Sequence, residues 1–107
     1  MRRDVFQAIA DPTRRAIILL IASGAMTPNA LAERFEISRQ AVSKHLQILM
    51  ECELVKPEQS GREIHYSLRE SGLREIDLWL EKFKKIWETR FSQLDEVLLT
   101  LKNKRTK

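Results

Sequence analysis

Gln40, Ser43, Lys44 and Gln47 recur at intervals of three, four and seven inside a stretch, Ile37 to Met50, that contains no Asp or Glu. At helical spacing they share one face. Such a face can approach a polyanion without like-charge repulsion. Its amides and hydroxyls suit base edges, and its cations, with Arg39 and His45 close by, suit phosphates. The same pattern also describes an ordinary solvated helix surface, so the surrounding elements decide between the two. A second suggestive residue is Arg62, which follows Gly61 in a short turn. A planar cation beside a flexible glycine suits phosphate contact or insertion into a minor groove.

Enzymatic chemistry has no comparable footing. The chain has no glycine-rich phosphate loop and no nucleophile elbow, and its soft or borderline metal ligands are Cys52, His45 and His65. A four-ligand zinc site would need carboxylates or a second subunit, so neither a metal nor another cofactor is expected. His65 reads as an outward strand residue. Cys52 has no intramolecular disulfide partner, which fits a reducing, cytoplasmic compartment. It reads as a small core filler, because Glu51 and Glu53 disfavour a reactive thiolate beside them.

The elements that hold the polar face are marked by caps. Ser38 is a natural N-cap, Ile37 can staple onto Val42, and Val42, Leu46 and Leu49 give the helix an apolar side opposite Gln40 and Lys44. Upstream, Thr27-Pro28 starts a helix that buries Leu31, Ala32 and Phe35, and Glu36-Ile37 turns into Ser38. Two short helices joined this way form a helix-turn-helix. Asp11-Pro12 opens a helix that is apolar nearly all round through Ala22 and ends at Gly24, the expected central core helix. Asp4 to Ala10, with Val5, Phe6 and Ile9 apolar, makes a shorter first helix. Arg14 and Arg15 either touch phosphates or form the solvated, acid-paired edge of the core helix.

After Glu53 the period changes to two. Leu54 to Gln59 and Glu63 to Leu68 read as strands around a Ser60-Gly61-Arg62 turn, with Ile64, Tyr66 and Leu68 inward and Glu63, His65 and Ser67 outward. This hairpin is a wing with Arg62 at its tip.

From about Leu73 to Lys102 the chain has neither Pro nor Gly, which predicts one helix roughly 45 Å long at ~1.5 Å per residue. Leu73, Ile76, Leu80, Phe83, Trp87, Leu94 and Leu101 keep a near-heptad spacing interrupted at Arg90, with Trp79, Ile86, Phe91 and Leu98 as a second strip. A single domain of this size cannot cover so long a stripe, so self-association is expected. The dimerisation set is Val5, Phe6, Leu73, Ile76, Leu80, Phe83, Trp87 and Leu94.

Composition limits these readings more than it supports them. The chain has 107 residues and a net charge of +4, and Lys102, Lys104, Arg105 and Lys107 account for that excess. Residues 1–69 hold 10 bases against 8 acids, and residues 70–101 hold 5 against 7. Any attraction for nucleic acid must therefore come from local distribution. No apolar run approaches the ~20 residues that span a bilayer, and Met1-Arg2-Arg3-Asp4 lacks a secretory apolar region, so no membrane partner is expected.

Taken together, these residues resemble winged-helix repressors of the ArsR family over nearly the full length. The resemblance rests on Asp11-Pro12-Thr13-Arg14-Arg15, on Ser38 through Leu49, and on Gly61-Arg62 followed by Tyr66-Ser67-Leu68. It implies a mainly α fold with a β-hairpin wing, in the order α-α-α-α-β-β-α. It also implies a homodimeric transcription factor, usually a repressor and often autoregulatory, on an inverted-repeat operator in double-stranded DNA. By that similarity Ser38, Gln40, Ser43 and His45 are reading positions and Arg62 is the wing contact, with Arg39, Lys44 and Gln47 completing the DNA-binding set. Residues 1–107 form one domain on this view, with 4–72 as DNA-binding core and wing, 73–102 as dimerisation helix and 103–107 as a disordered basic tail. The metal sensors of the family carry a Cys-x-Cys pair before the reading helix or carboxylate and histidine ligands on the last helix. This chain has no Cys from Thr27 to Phe35 and no His after His65. It therefore resembles members without metal ligands, whose releasing signal is a protein partner, a small organic effector or concentration alone. The competing reading is a protein-interaction adaptor that uses the long helix and carries a vestigial winged helix.

Overall fold

The computed structural model describes residues 4–105; the expectations for Met1 to Arg3 and for Lys107 lie outside that range. Residues up to Ile76 and residues from Asp77 onward form separate compact units.

In the first unit, α1 (Val5–Ile9), α2 (Pro12–Ala22), α3 (Pro28–Phe35) and α4 (Arg39–Glu51) precede a hairpin of β1 (Val55–Ser60) and β2 (Glu63–Leu68). Each helix start has a side-chain cap. Asp4 and Gln7 make a reciprocal capping box, Asp11 and Thr27 precede prolines, and Ser38 caps α4. The turn between α3 and α4 is closed by Glu36 in the left-handed region at φ 53°, and Glu53 does the same after α4 at φ 58°. Neither position carries the glycine that usually marks such a turn.

The core is built from Val5, Ala8, Ile17, Ile21, Leu31, Val42, Leu46, Leu49, Cys52, Leu54 and Val55. α2 contributes one face rather than its whole circumference, because Leu19 is 74% exposed. Ile17 and Ile21 form the inward stripe, against which α1 and β2 pack.

The hairpin pairs Val55 with Leu68 through Ser60 with Glu63, so the first strand runs one residue later than the pattern predicts. Gly61 at φ 63° makes the tight connection to Arg62. The expected alternation does not hold. Ile64 is 44% exposed, whereas Ser67 is half-buried with a hidden Oγ. Met26 and Tyr66 exchange backbone hydrogen bonds of 3.1 and 2.8 Å, adding a short third rung that closes the base of the wing and leaves its tip open.

α5 (Glu70–Arg105) begins three residues before the predicted start. Its first turn is anchored by Arg69 N–H on the Leu54 carbonyl and Gly72 N–H on the Glu53 carbonyl, both at 2.9 Å. A Cβ on Gly72 would lie 2.5 Å from the Glu53 oxygen, so the close approach requires glycine. The helix continues through Arg105, where a disordered tail from 103 was expected. From Asp77 the second unit consists of this helix.

Candidate nucleic-acid interface

α4 is fixed in rotation by its two faces. Val42, Leu46 and Leu49 are buried, whereas Ser38, Arg39, Gln40, Ser43, Lys44 and Gln47 are exposed. The Ser38 hydroxyl accepts from Ala41 N–H at 3.1 Å, so its oxygen is already committed to the cap. Gln47 stands at the far end of the face, with its Nε2 3.5 Å from Glu51 Oε1, where the acid-free stretch stops.

The tertiary structure joins this helix to the wing. Arg39, Gln40 and Ser43 line a shallow depression. Arg39 and Ser43 also line a cleft with Thr27 and Asn29 of the α3 start and Arg62 and Tyr66 of the wing. Two cations and several hydroxyl and amide groups thus converge from three elements, an arrangement suited to gripping a sugar-phosphate backbone beside a groove. Thr27 and Asn29 were not anticipated. Their one sequence signal, a cap before proline, marks a helix start and says nothing of which surface that start faces. Glu63 is an acid on the same cleft, and its Oε2 lies 3.4 Å from Nε2 of His65, the side chain expected to point outward alone.

His45 does not stand with the polar face. It is half-buried, and its Nδ1 lies 3.4 Å from Nη1 of Arg14. Arg14 also donates from Nε to the Ala8 carbonyl at 2.6 Å and from Nη2 to the Gln7 carbonyl at 3.2 Å. Arg15 donates to the carbonyls of Ile9 and Ala10 at 2.7 and 3.2 Å. The two arginines therefore close the C-terminal end of α1, where unpaired carbonyls carry the negative end of the helix dipole. The guanidinium of Arg15 meets backbone carbonyls, and that of Arg14 meets carbonyls and the His45 ring, rather than the acids expected. The Arg14 backbone N–H donates to the Asp11 carboxylate at 3.0 Å, and this bond holds the Asp11 pKa below its ordinary value. The positive charge of Arg14 and a smaller influence from His45 act in the same direction, against some desolvation.

Among the expected dimerisation residues, Val5 is a correction. It is 2% exposed, packed with Ala8 into the core of its own chain, so it has no surface left for a partner. Phe6, Leu73 and Ile76 are partly buried against the same core. Leu80, Phe83, Trp87 and Leu94 are exposed on α5. Trp79, Phe83, Trp87 and Phe91 form a ladder of rings with successive centroid separations of 5.3, 5.7 and 4.7 Å. Among the described residues no three His, Cys, Asp or Glu side chains converge as metal ligands, and Cys52 is buried with its Sγ 3.5 Å from the Asp4 carbonyl oxygen. No helix among the described residues is long and apolar enough to cross a membrane.

Comparison with known proteins agrees with this architecture. A helix-turn-helix domain model matches residues 9–58. The transcriptional repressor SdpR of Bacillus subtilis is 41% identical over 80 residues, covering 75% of this chain and 89% of its own. The solved structure of an ArsR-like transcriptional regulator from Rhodococcus sp. RHA1 superposes with a TM-score of 0.68 at 33% identity, over 87% of this chain and 88% of that one. A homodimeric winged helix-turn-helix DNA-binding domain from Mycobacterium bovis, described as a possible ArsR-family regulator, gives 0.62 at 26% identity over 76% of each chain. With the capped α3–α4 pair, the hairpin wing and identity that extends across nearly the whole of a curated repressor, the chain belongs to the ArsR family of winged helix-turn-helix transcriptional regulators.

Proposed function

We propose that this chain is a homodimeric, cytoplasmic repressor that binds an inverted-repeat operator in double-stranded DNA without a bound metal. The observation that carries the reading is the cleft in which Arg39 and Ser43 of α4 meet Arg62 of the wing, next to an exposed face free of acids. Gln40 and Ser43 read base edges, and Arg39, Lys44 and Arg62 hold phosphates. Leu80, Phe83, Trp87 and Leu94 of α5 supply the pairing surface. A two-fold pair sets two reading helices about one helical turn apart on the same side of a duplex. The homodimeric Mycobacterium bovis domain and the Bacillus subtilis repressor support both parts of the proposal.

The test is selection of bound duplexes from a random pool, followed by footprinting. A palindromic consensus protected by a dimer, with affinity falling steeply as salt rises, is the expected result. Recovery of no preferred sequence would reject the proposal and favour the adaptor reading.

A further inference from the structure

On the premise that α4 reads DNA, we infer that His45 is a positioning residue rather than a base reader, and that together with Arg14 it sets the angle of α4 against α1 and α2. Position 45 lies three residues after Val42 and four before Leu49, both buried, so its side chain leaves the helix at the edge of the core. Arg14 arrives there already oriented. Its backbone N–H is held by Asp11, its Nε by the Ala8 carbonyl and its Nη2 by the Gln7 carbonyl, which leaves Nη1 directed at α4. A guanidinium has donors and no acceptor, so Nδ1 accepts in this contact, the arrangement of the tautomer whose proton sits on Nε2.

The contact joins three helices at one point. α1, with 5 residues, is too short to persist alone, and Arg14 and Arg15 together occupy the carbonyls of Gln7, Ala8, Ile9 and Ala10 at its end. Among the described residues it is Arg14 that also reaches α4. Its guanidinium is thus shared between the end of α1 and the middle of the reading helix. A small rotation of α4 would shift Gln40, Ser43 and Lys44 together, because they project from one rigid rod.

The test compares His45→Leu, His45→Asn, Arg14→Gln, Arg15→Gln and the double variant H45L/R14Q on the selected operator, its single-base variants and random duplex. Measurements are made where circular dichroism and sedimentation show each protein folded and in the wild-type oligomeric state. His45→Leu and Arg14→Gln are each expected to lose about tenfold in operator affinity, the range of one hydrogen bond to a charged group. The loss should spread over all the base pairs read and be larger on the operator than on random duplex, because base contacts depend on the angle of α4 more sharply than phosphate contacts do. His45→Asn, whose Oδ1 can stand near the Nδ1 position, should recover most of the affinity, and Arg15→Gln should lose less than Arg14→Gln. The double variant should be no weaker than the weaker single, because both remove one contact.

Additive losses in the double variant, a loss confined to one base pair, or wild-type affinity in His45→Leu would each overturn the inference. If Arg14→Gln does not fold, His45→Leu against His45→Asn decides, since neither touches the α1 carbonyls. Absence of any selected duplex for the wild type would instead defeat the proposed function, a separate outcome.

Discussion

In the segment up to Ile76, most large apolar side chains, Leu19 and Ile64 apart, find company inside the chain. Leu46 and Leu49 are buried on α4, Leu54 and Val55 continue the same core, and Leu73 and Ile76 at the start of α5 still pack against it. From Asp77 onward the same residue types at the same helical spacing stay open, with Phe83 43% and Trp87 49% exposed. Periodicity alone treats both stretches alike, since it reports that a face exists and is silent about what covers it. The contrast shows that α4 and distal α5 have opposite relations to their apolar sides. α4 hides its stripe within the chain and presents polarity, whereas distal α5 presents the stripe itself.

Substitutions that put the same chemistry into each region sharpen this contrast, and the largest effect is expected on α5. Trp87→Glu should convert a dimer to monomers at micromolar concentration and lower operator affinity about 100-fold or more, because two half-sites lose their linkage. Sedimentation and binding on the same preparations measure both; a dimer that persists would break the comparison. Leu49→Ala should act in the opposite sense, costing about 2–5 kcal/mol of stability through a cavity in the core, read by urea unfolding, while association of the folded fraction is preserved.

Gly72→Ala tests the junction between the core and α5. Helix propensity favours alanine, yet the added methyl meets the Glu53 carbonyl, so a net cost of about 1–3 kcal/mol is expected. Gly24→Ala, with open space around its Cβ, should be neutral or stabilise by up to about 1 kcal/mol. On the polar side of α4, Gln40→Ala should lose about 1–3 kcal/mol of discrimination at one base pair. Lys44→Ala should weaken cognate and random duplex alike and reduce the salt slope by about 1. Equal losses on both duplexes for Gln40→Ala would exclude it as a base reader.

The smallest expected effect is electrostatic. The folded pKa of Asp11 is depressed, so its carboxylate contributes stability above the unfolded range near ~3.9, and the contribution is lost as pH falls through the folded value. Asp11→Asn should therefore be less stable than wild type at neutral pH by less than about 1 kcal/mol, and the gap should close below about pH 4.

Legibility in the sequence followed the range of each interaction. Asp11, Thr27 and Ser38 announce helix starts because a cap involves residues three apart, and Val42, Leu46 and Leu49 announce a buried face because one turn of helix brings them together. Arg62 at the wing tip was legible from Gly61 beside it. Ser67 was misplaced because alternation assumes that one face of the hairpin is covered throughout, whereas Ser67 is half-buried and Ile64 near the tip is exposed. His45, expected at the DNA face by resemblance, is half-buried beside Arg14, where its spacing from Val42 and Leu49 puts it at the edge of the core.

By itself the sequence determined the local frame: where helices begin, which side of α4 is polar, where the chain turns back, and that the last helix carries an apolar stripe. Only the tertiary structure decided that Arg39 and Ser43 share a cleft with Arg62, that Arg14 and Arg15 close α1, that His45 turns to Arg14, and that Val5 lies inside. The physical reason is that caps and amphipathic faces depend on neighbours within one turn. Convergence of side chains from separate elements depends instead on how those elements pack, which no local pattern encodes.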